Sequence, residues 1–375
     1  MPRAVRAGHA LDGVFRTSEQ TLPMGDLPIN LAAQTPTGRG AYPAGGLRAV
    51  AEMASELADA GVTCVVGVVI DTNGSTYRKR GALILADATG MRAGALSGGC
   101  LESEVERHAR NVLATGVAEI ARFDTRGEDD RLFGTGVGCS GEMNVLMMPL
   151  HADEAPLRTA LVDACARSAW LKLVLATSAD LLGCGEARVG SHIYRFDSRG
   201  RAVPSMHSFV ERVAIALTPP PRVLLLGAGP ETRPLAALAR LLGWYVEVVE
   251  HRERWSVHAN CPGVDQRHAK GPDVLAELLG ARHFDAVLVM NHNYELDARC
   301  LRHLAESSAG YVGLLGPPAR RDALLSEIGD IAATQLEPRL YAPVGLRLGG
   351  EGPEAIALAI VAQLQHYLTH DAHHD

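Results

Sequence analysis

The stretch that most constrains the fold is "RVLLLGAGPETRPLAALARL", which runs from Arg222 to Leu241. Its first part is an uninterrupted apolar run, which is typical of a strand buried on both faces of a parallel sheet. Two glycines follow, and the apolar residues after them recur at helical spacing. Strand, glycine turn and helix in this order predict one nucleotide-binding unit of a Rossmann-like domain.

The rest of the C-terminal half repeats the same alternation. Three strand-like runs, "YVEVVEHR", "DAVLVMNHN" and "GYVGLLGPP", are separated by the helical patterns "PDVLAELLGA" and "LDARCLRHLAESS". Strands that alternate with helices predict a doubly wound parallel sheet. Pro219, Pro220 and Pro221 precede the first strand and form a stiff linker, because proline fixes its own φ and restricts its neighbour. We therefore place a domain boundary at this linker.

The chain before the prolines predicts an α+β domain whose centre consists of strands with glycine and cysteine loops. Helical spacing from Gly46 ends at Gly61, and the amphipathic run "ESEVERHARNVLATG" ends at Gly116. The apolar runs "VTCVVGVVI" and "MNVLMMPL" are typical of buried strands. We expect four segments: a flexible leader over 1–45, an N-terminal cofactor domain over 46–217, a Rossmann-like domain over 218–368 and a tail over 369–375.

The glycine turn after the first strand of the Rossmann-like domain carries a dinucleotide signal. Gly227 permits the tight turn, Gly229 lets the backbone approach a pyrophosphate, and the helix N-terminus offers amide donors. Glu250 ends the second strand, where an acid accepts a hydrogen bond from a ribose hydroxyl. His292 closes a later strand over the same crevice. Thr232 replaces the third glycine of the motif, so a domain that binds another ligand, or none, stands beside one that binds NAD(P).

Two cysteines lie in glycine-rich loops of the N-terminal half. Cys100 in "GALSGGCLE" directly precedes a predicted helix, whose positive N-terminal end favours a thiolate, although Glu102 opposes this effect. Cys139 lies in the similar loop "GVGCSGE". Two soft thiolates suit a soft transition metal or can carry sulfur as a persulfide. Buried inert thiols are the alternative, and the absence of a CxxC pair argues against structural zinc.

A cationic loop precedes the first of these cysteines. "GSTYRKRGALILAD" places Arg78, Lys79 and Arg80 beside glycines whose backbone amides are accessible. Cations and exposed amides together suit an anionic phosphate or a pterin-type ligand. An exposed hairpin loop without a ligand is the alternative.

The composition excludes several classes of protein. The net charge of −7 argues against general binding to nucleic acid, which requires a basic face. No apolar run approaches the roughly 20 residues that a membrane span needs. Seven cysteines, an odd number, do not suggest a disulfide framework, and we expect a cytoplasmic protein with free thiols.

Taken together, these motifs resemble those of the XdhC/CoxI family of maturation factors for xanthine and carbon monoxide dehydrogenases. The resemblance rests on "GSTYRKRGALILAD", "GALSGGCLESEV", "GVGCSGEMNVLMMPL" and "VLLLGAGPETRPLAALARLLGWYVEVVEHR", and it continues through "VLVMNHNYELDARCL", "GYVGLLGPPARRDALL" and "APVGLRLGGEGPEAIALAIVAQL". These motifs follow the family's order over residues 46–367. Two departures are Ser140, where the family usually has glycine, and Glu250, where it usually has aspartate.

The resemblance implies a cofactor chaperone rather than an enzyme that turns over a substrate. Such a protein binds the molybdenum cofactor, molybdopterin or its cytosine dinucleotide form, and protects it while a terminal sulfido ligand is installed. It then passes the cofactor to an apo-molybdoenzyme of the xanthine dehydrogenase type. A cysteine desulfurase is a second partner consistent with this role, and we expect a homodimer around a closed cleft between the two domains.

The resemblance also assigns the site. Cys100 and Cys139 would face the metal, and four glycines would shape their loops: Gly98, Gly99, Gly138 and Gly141. Two other functions remain alternatives. One is an NAD(P)-dependent oxidoreductase with His292 as its acid or base, and the other is a nucleotide-sensing regulatory module.

Overall fold

The computed structural model describes residues 45–125, 141–153, 155–203, 210–256 and 261–371. The predicted leader, apart from its last residue, and most of the predicted tail lie outside these residues. The described part contains two antiparallel sheets in its N-terminal half and one parallel sheet in its C-terminal half. The predicted fold class, an α+β half followed by a Rossmann-like half, is confirmed.

The first antiparallel sheet has five strands in the order β3-β2-β1-β5-β4. Both of its faces are covered by apolar clusters, which explains why its central strands are continuous apolar runs instead of alternating ones. The strands are β1 (Cys64–Gly74), β2 (Leu83–Asp87), β3 (Gly90–Ala93), β4 (Glu119–Asp124) and β5 (Gly141–Leu150).

Helices cover the two faces of this sheet. On one face lie α1 (Gly46–Asp59) and α3 (Pro156–Arg167), which pack against each other and share one core with the sheet. On the other face lies α2 (Glu102–Thr115). The α2 helix ends at Gly116 in the left-handed conformation, with φ of 67°, as its sequence predicted. The second face and the loop before α2 line the candidate site.

The second antiparallel sheet has four strands in the order β8-β7-β6-β9, and α3 packs on it. Its strands are β6 (Leu171–Ala176), β7 (Cys184–Val189), β8 (His192–Asp197) and β9 (Arg212–Leu217). The sequence pattern did not predict β7 or β9. In β7, Glu186 interrupts the apolar sequence pattern of a buried strand. Its buried carboxylate accepts hydrogen bonds from Arg188 and Arg195.

The C-terminal half is a six-stranded parallel sheet in the order β12-β11-β10-β13-β14-β15. Its strands are β10 (Arg222–Leu226), β11 (Tyr245–Val249), β12 (Gln266–His268), β13 (Ala286–Val289), β14 (Val312–Leu314) and β15 (Leu340–Tyr341). The strand order reverses between β10 and β13, and ligands of doubly wound sheets bind at the carboxyl ends of strands at such a reversal.

Helices cover both faces of the parallel sheet, in two separate cores. They are α4 (Thr232–Leu241), α5 (Glu253–Ser256), α6 (Leu275–Ala281), α7 (Tyr294–Ala305), α8 (Pro318–Ile328), α9 (Asp330–Leu336) and α10 (Pro353–His366). Short 3₁₀ turns cover Pro272–Val274 and Glu337–Arg339, and a π turn, Tyr367–Asp371, follows α10. The α4 and α10 helices contribute to one core, and α6, α7, α8 and α9 contribute to the other.

The two halves meet at the amino ends of the parallel strands. Arg48 of α1 is buried, pairs with Asp265 and donates to the backbone carbonyl of Trp244. The ring of Tyr245, the first residue of β11, lies 3.9 Å from the Arg48 guanidinium and 4.7 Å from that of Arg222, the first residue of β10. The carboxyl ends of these strands therefore lie at the opposite edge of the sheet from the junction.

The longest helices of the described ranges are α1, α2 and α10, with 14 residues each. A helix needs about 20 apolar residues to cross a bilayer. Among the described residues, no helix has both the length and the hydropathy of a membrane span.

Candidate functional site

A cavity of about 300 Å³ opens between the end of the five-stranded sheet and α2. The loop after β1 contributes Ser75, Thr76 and Tyr77 to its wall, and the loop before α2 contributes Ser97 and Cys100 among others. Apolar side chains from the sheet complete the wall. None of the lining residues that the structure describes carries a charge.

Cys100 differs from the other cysteines that the structure describes, because it is half-buried at the cavity while the other five are buried. Burial raises the pKa of Cys64 and Cys300 to about 12 and that of Cys165 to about 11. These thiols stay protonated and inaccessible at neutral pH. Cys139 and Gly138, the other predicted members of the cysteine loops, lie outside the described residues.

The loop that carries Cys100 is held by a buried serine that the sequence pattern did not single out. The hydroxyl of Ser97 accepts hydrogen bonds from the backbone amides of Gly99, Cys100 and Leu101 at 3.2, 3.1 and 3.0 Å. It donates to the carboxylate of Glu102 at 2.7 Å. Glu102, which the sequence suggested would oppose a thiolate, thus anchors this serine. Ser97 lies five residues before Glu102 and does not match the spacing of a helix capping box, so the sequence offered no local signal for this pair.

The predicted glycines of the described loops lie at the cavity wall or just beside it. Gly99 has φ of 120°, a conformation that favours glycine. A Cβ on Gly141 would lie 2.4 Å from the backbone oxygen of Ser75, so only glycine lets the start of β5 close against the loop after β1. Gly98 faces the ring of Tyr77, with 4.0 Å from an added Cβ to the nearest ring atom. The structure therefore brings Cys100 together with Gly98 and Gly141.

The cationic loop reaches the cavity only through its first residues. Arg80 donates to the backbone carbonyl of Ala214 in β9 at 2.7 Å, which directs it towards the second sheet. Arg78 follows Tyr77 directly and is half-buried, but it is not among the residues that line the cavity. The structure thus places Arg78 beside the cavity and directs Arg80 away from it.

The predicted dinucleotide residues lie together at the carboxyl ends of β10, β11 and β13. Gly227 has φ of 94°, and a Cβ there would lie 2.4 Å from the Cα of Asn291. The loops after β10 and β13 therefore touch, and the predicted tight turn is confirmed. Glu250 is buried, and its carboxylate accepts from the amide of Ala228 at 2.8 Å and from Arg252 at 2.7 Å. Burial alone would raise the pKa of Glu250, but these hydrogen bonds hold it below its usual value.

His292 pairs with a glutamate that the sequence did not single out. Its Nε2 lies 2.8 Å from Oε1 of Glu231, the residue before α4, and His292 itself has φ of 55°. This hydrogen bond raises the pKa of His292. Burial alone would raise the pKa of Glu231, but the hydrogen bond from His292 keeps it below its usual value. The sequence signal that could have identified Glu231 is its position in "GAGPET", two residues after the second glycine.

Within the described residues, the cysteine cavity and the carboxyl-end crevice lie at different places in the fold. The cavity lies on the α2 face of the five-stranded sheet, where Leu96, Leu101 and Phe123 belong to one core. The α1 helix, which contacts the C-terminal half, lies on the other face, and it meets the amino ends of the parallel strands. The closed cleft between the two domains stays a prediction.

No group of three or more histidine, cysteine, aspartate or glutamate side chains that could hold a metal ion occurs within the described residues. Among the described cysteines, Cys100 is the one that lines the cavity. The predicted two-thiolate site includes Cys139 and so extends beyond what the structure describes. Contact between either thiolate and a metal therefore stays a prediction.

Comparison with known proteins gives matches in both halves. The model of the XdhC and CoxI family matches residues 57–124, and that of the XdhC Rossmann domain matches residues 223–364. One relative, described as a probable xanthine dehydrogenase component of Bacillus subtilis (strain 168), is 30% identical over 319 residues, which are 80% of this chain and 92% of that protein. The uncharacterized protein YqeB of Escherichia coli (strain K12) is 30% identical over 146 residues, 38% of this chain and 27% of that protein.

A solved structure is similar over most of the chain. The crystal structure of a xanthine dehydrogenase from Bacillus halodurans superimposes with a TM-score of 0.71 at 29% sequence identity. The match covers 85% of this chain and 95% of that one. The similarity therefore extends across both halves of the fold.

Proposed function

The chain belongs to the XdhC and CoxI family, and from this membership we propose that it takes part in the maturation of a molybdoenzyme of the xanthine dehydrogenase type. In this role the chain binds the molybdenum cofactor, shields it while a terminal sulfido ligand is installed, and delivers it to the apo-enzyme. Family membership supports the class of partner, and the cavity at Cys100 supports the site.

The observation that carries this function is the position of Cys100. Of the six cysteines in the described ranges it is the one that is not buried, and it borders a cavity of about 300 Å³. Ser97 and Glu102 fix the loop that presents it. A soft sulfur held at a cavity wall suits a molybdenum centre and its sulfido ligand, because soft metals prefer soft donors.

The remaining wall fits the organic part of such a cofactor. Ser75 and Thr76 provide hydroxyl and backbone groups that can hydrogen-bond a heterocycle, and Tyr77 and Phe123 provide apolar ring surface. The described lining carries no charge, so the cavity suits a neutral ring system better than a phosphate. Arg78, next along the chain from Tyr77, is the cation positioned to take a phosphate group outside the cavity. When bound, the cofactor supplies the metal centre that the client enzyme later uses.

The experiment is to purify the full chain from a cell that makes molybdenum cofactor and to measure molybdenum and pterin per chain. We expect both in similar molar amounts in the wild type. Cys100→Ala should lower the molybdenum content at least about tenfold, since the metal loses its soft ligand. Activation of an apo-xanthine dehydrogenase in a mixture with the protein should fall in parallel.

The matched control is Cys300→Ala, which removes a buried thiol far from the cavity in the other half of the chain. It should retain the molybdenum and pterin of the wild type. If the wild type holds neither molybdenum nor pterin, and takes up none from supplied cofactor in any redox state, this function is refuted. If Cys100→Ala retains full molybdenum, the site is not at Cys100.

A further inference from the structure

The crevice at the carboxyl ends of β10, β11 and β13 is where a doubly wound sheet normally binds a dinucleotide. Binding there depends on free backbone amides at the start of the following helix and on room beside the second glycine. In this chain, amides of the glycine turn already donate hydrogen bonds to other groups of the protein, and a side chain fills the space beside the second glycine. The crevice is separate from the Cys100 cavity.

The backbone amides of the glycine turn already have partners within the chain. The amide of Gly227 donates to the carbonyl of Val249, that of Ala228 to the Glu250 carboxylate, and that of Gly229 to Oγ1 of Thr232. Residue 230 is proline, which has no amide hydrogen. The amide of Thr232 donates to the carbonyl of Gly229.

The space beside the second glycine is filled by a side chain. A Cβ on Gly229 would lie 2.7 Å from Oε1 and 3.0 Å from Oε2 of Glu231. The Glu231 carboxylate therefore occupies the position from which a pyrophosphate would approach this backbone. It is buried and held by His292 at 2.8 Å, so it has a fixed location.

The acid expected to bind a ribose is also engaged. Both carboxylate oxygens of Glu250 accept hydrogen bonds from Arg252, and one of them also accepts from the amide of Ala228. Glu250 is nearly fully buried beneath these partners. A ribose hydroxyl would have to displace an ion pair to reach it.

From these contacts we infer that the carboxyl-end crevice of this chain is closed to dinucleotides, because the Glu231 carboxylate stands in the phosphate position. A bound diphosphate would meet a buried negative charge, and the amides of Gly227, Ala228 and Gly229 already have partners within the chain. The inference goes beyond the proposed function. It also means that NAD(P) and the diphosphate of a cytosine dinucleotide cofactor do not bind through this turn.

The test is a calorimetric titration of the full chain with NAD⁺, NADP⁺ and ADP. The wild type should show no saturable binding up to millimolar nucleotide. Glu231→Ala removes the carboxylate from the space beside Gly229. This variant should bind ADP at least about tenfold more tightly than the wild type, since like charges in contact oppose binding strongly.

The matched control is Glu295→Ala, which removes an exposed acid from the first turn of α7 in the same half. It should bind nucleotide as weakly as the wild type, and melting temperatures establish that both variants are folded. Saturable micromolar binding of any of the three nucleotides by the wild type overturns the inference, whether or not the variants fold. It is equally overturned if folded Glu231→Ala binds no better than Glu295→Ala. Neither result bears on the molybdenum content measured for Cys100.

Discussion

At the scale of single residues, the cavity depends on a serine that makes more hydrogen bonds than its neighbours. Ser97 is buried, accepts from three consecutive amides and donates to Glu102. A buried polar group without its partner costs about 1–3 kcal/mol. The loop geometry around Cys100 therefore depends on this one hydroxyl.

We expect Ser97→Ala to lower the free energy of unfolding by about 1–3 kcal/mol, because the amides of Gly99 and Cys100 lose their partner, whereas the amide of Leu101 still donates to Glu102. Urea unfolding measures this change. The control is Ser55→Ala, whose hydroxyl bonds only the carbonyl one turn earlier in α1 and should cost less than about 0.5 kcal/mol. Equal effects of the two substitutions would show that the Ser97 hydroxyl does not hold the loop.

At the scale of elements, the loops that follow β10 and β13 are joined by an ion pair with a defined pH dependence. The hydrogen bond that His292 donates to Glu231 raises the pKa of His292, Asp297 adds to this effect, and Arg252 opposes it. A raised folded-state pKa stabilises the fold below the unfolded-state value of about 6.5, and this contribution is lost as pH rises through the folded-state pKa. The lowered pKa of Glu231 contributes above the unfolded-state value of about 4.5, and that contribution is lost as pH falls through its folded-state pKa.

His292→Gln should therefore be less stable than the wild type mainly between about pH 4.5 and 6.5. The difference should stay below about 1 kcal/mol, because His292 is half exposed and solvent screens the pair. Gln at position 292 must adopt the same left-handed backbone conformation as His. The strain of this conformation is therefore similar in the two proteins and does not account for a difference in stability. Urea unfolding at several pH values tests this. A stability difference that does not shrink from pH 6.5 to pH 9 would contradict it.

At the scale of the whole molecule, Arg48, Arg222 and Arg240 link the two halves, and Arg48 makes the largest set of contacts. Arg48 is buried, pairs with Asp265, donates to the carbonyl of Trp244 and stacks on Tyr245. Removing one member of a buried ion pair leaves the other uncompensated. Here Arg240 also approaches Asp265, which reduces the loss.

Arg48→Ala should cost about 3 kcal/mol in unfolding free energy and reduce the cooperativity between the two halves. Thermal unfolding followed by calorimetry should show a broader transition or two transitions. The control is Arg107→Ala, which removes an exposed arginine of α2 that pairs with Glu104 and should change stability by less than about 0.5 kcal/mol. A single transition at the wild-type temperature for Arg48→Ala would exclude this role.

Much of the fold could be predicted from the sequence, because it depends on local patterns. The alternation of buried runs with helical spacing predicted the parallel sheet, and Gly227 and Gly116 marked a strand end and a helix end that the structure contains. The two glycines before Cys100 also predicted a tight loop at this cysteine. The β7 strand was missed because Glu186 is a charged residue, which sequence patterns assign to the surface. In the structure Arg188 and Arg195 pair with its carboxylate, so that it can be buried.

The sequence by itself determined which residues turn, which strands are buried on both faces and which cysteine has glycines behind it. These properties follow from backbone conformation and from the burial period, which act over a few residues. Tertiary structure alone decided that Glu231 fills the crevice beside Gly229, that Ser97 holds the loop of Cys100, and that α1 meets the amino ends of the parallel strands. The contacts of α1, and the pair of His292 with Glu231, join residues far apart in the chain. The Ser97 contacts span only a few residues, but they depend on burial of the loop, which local patterns do not specify.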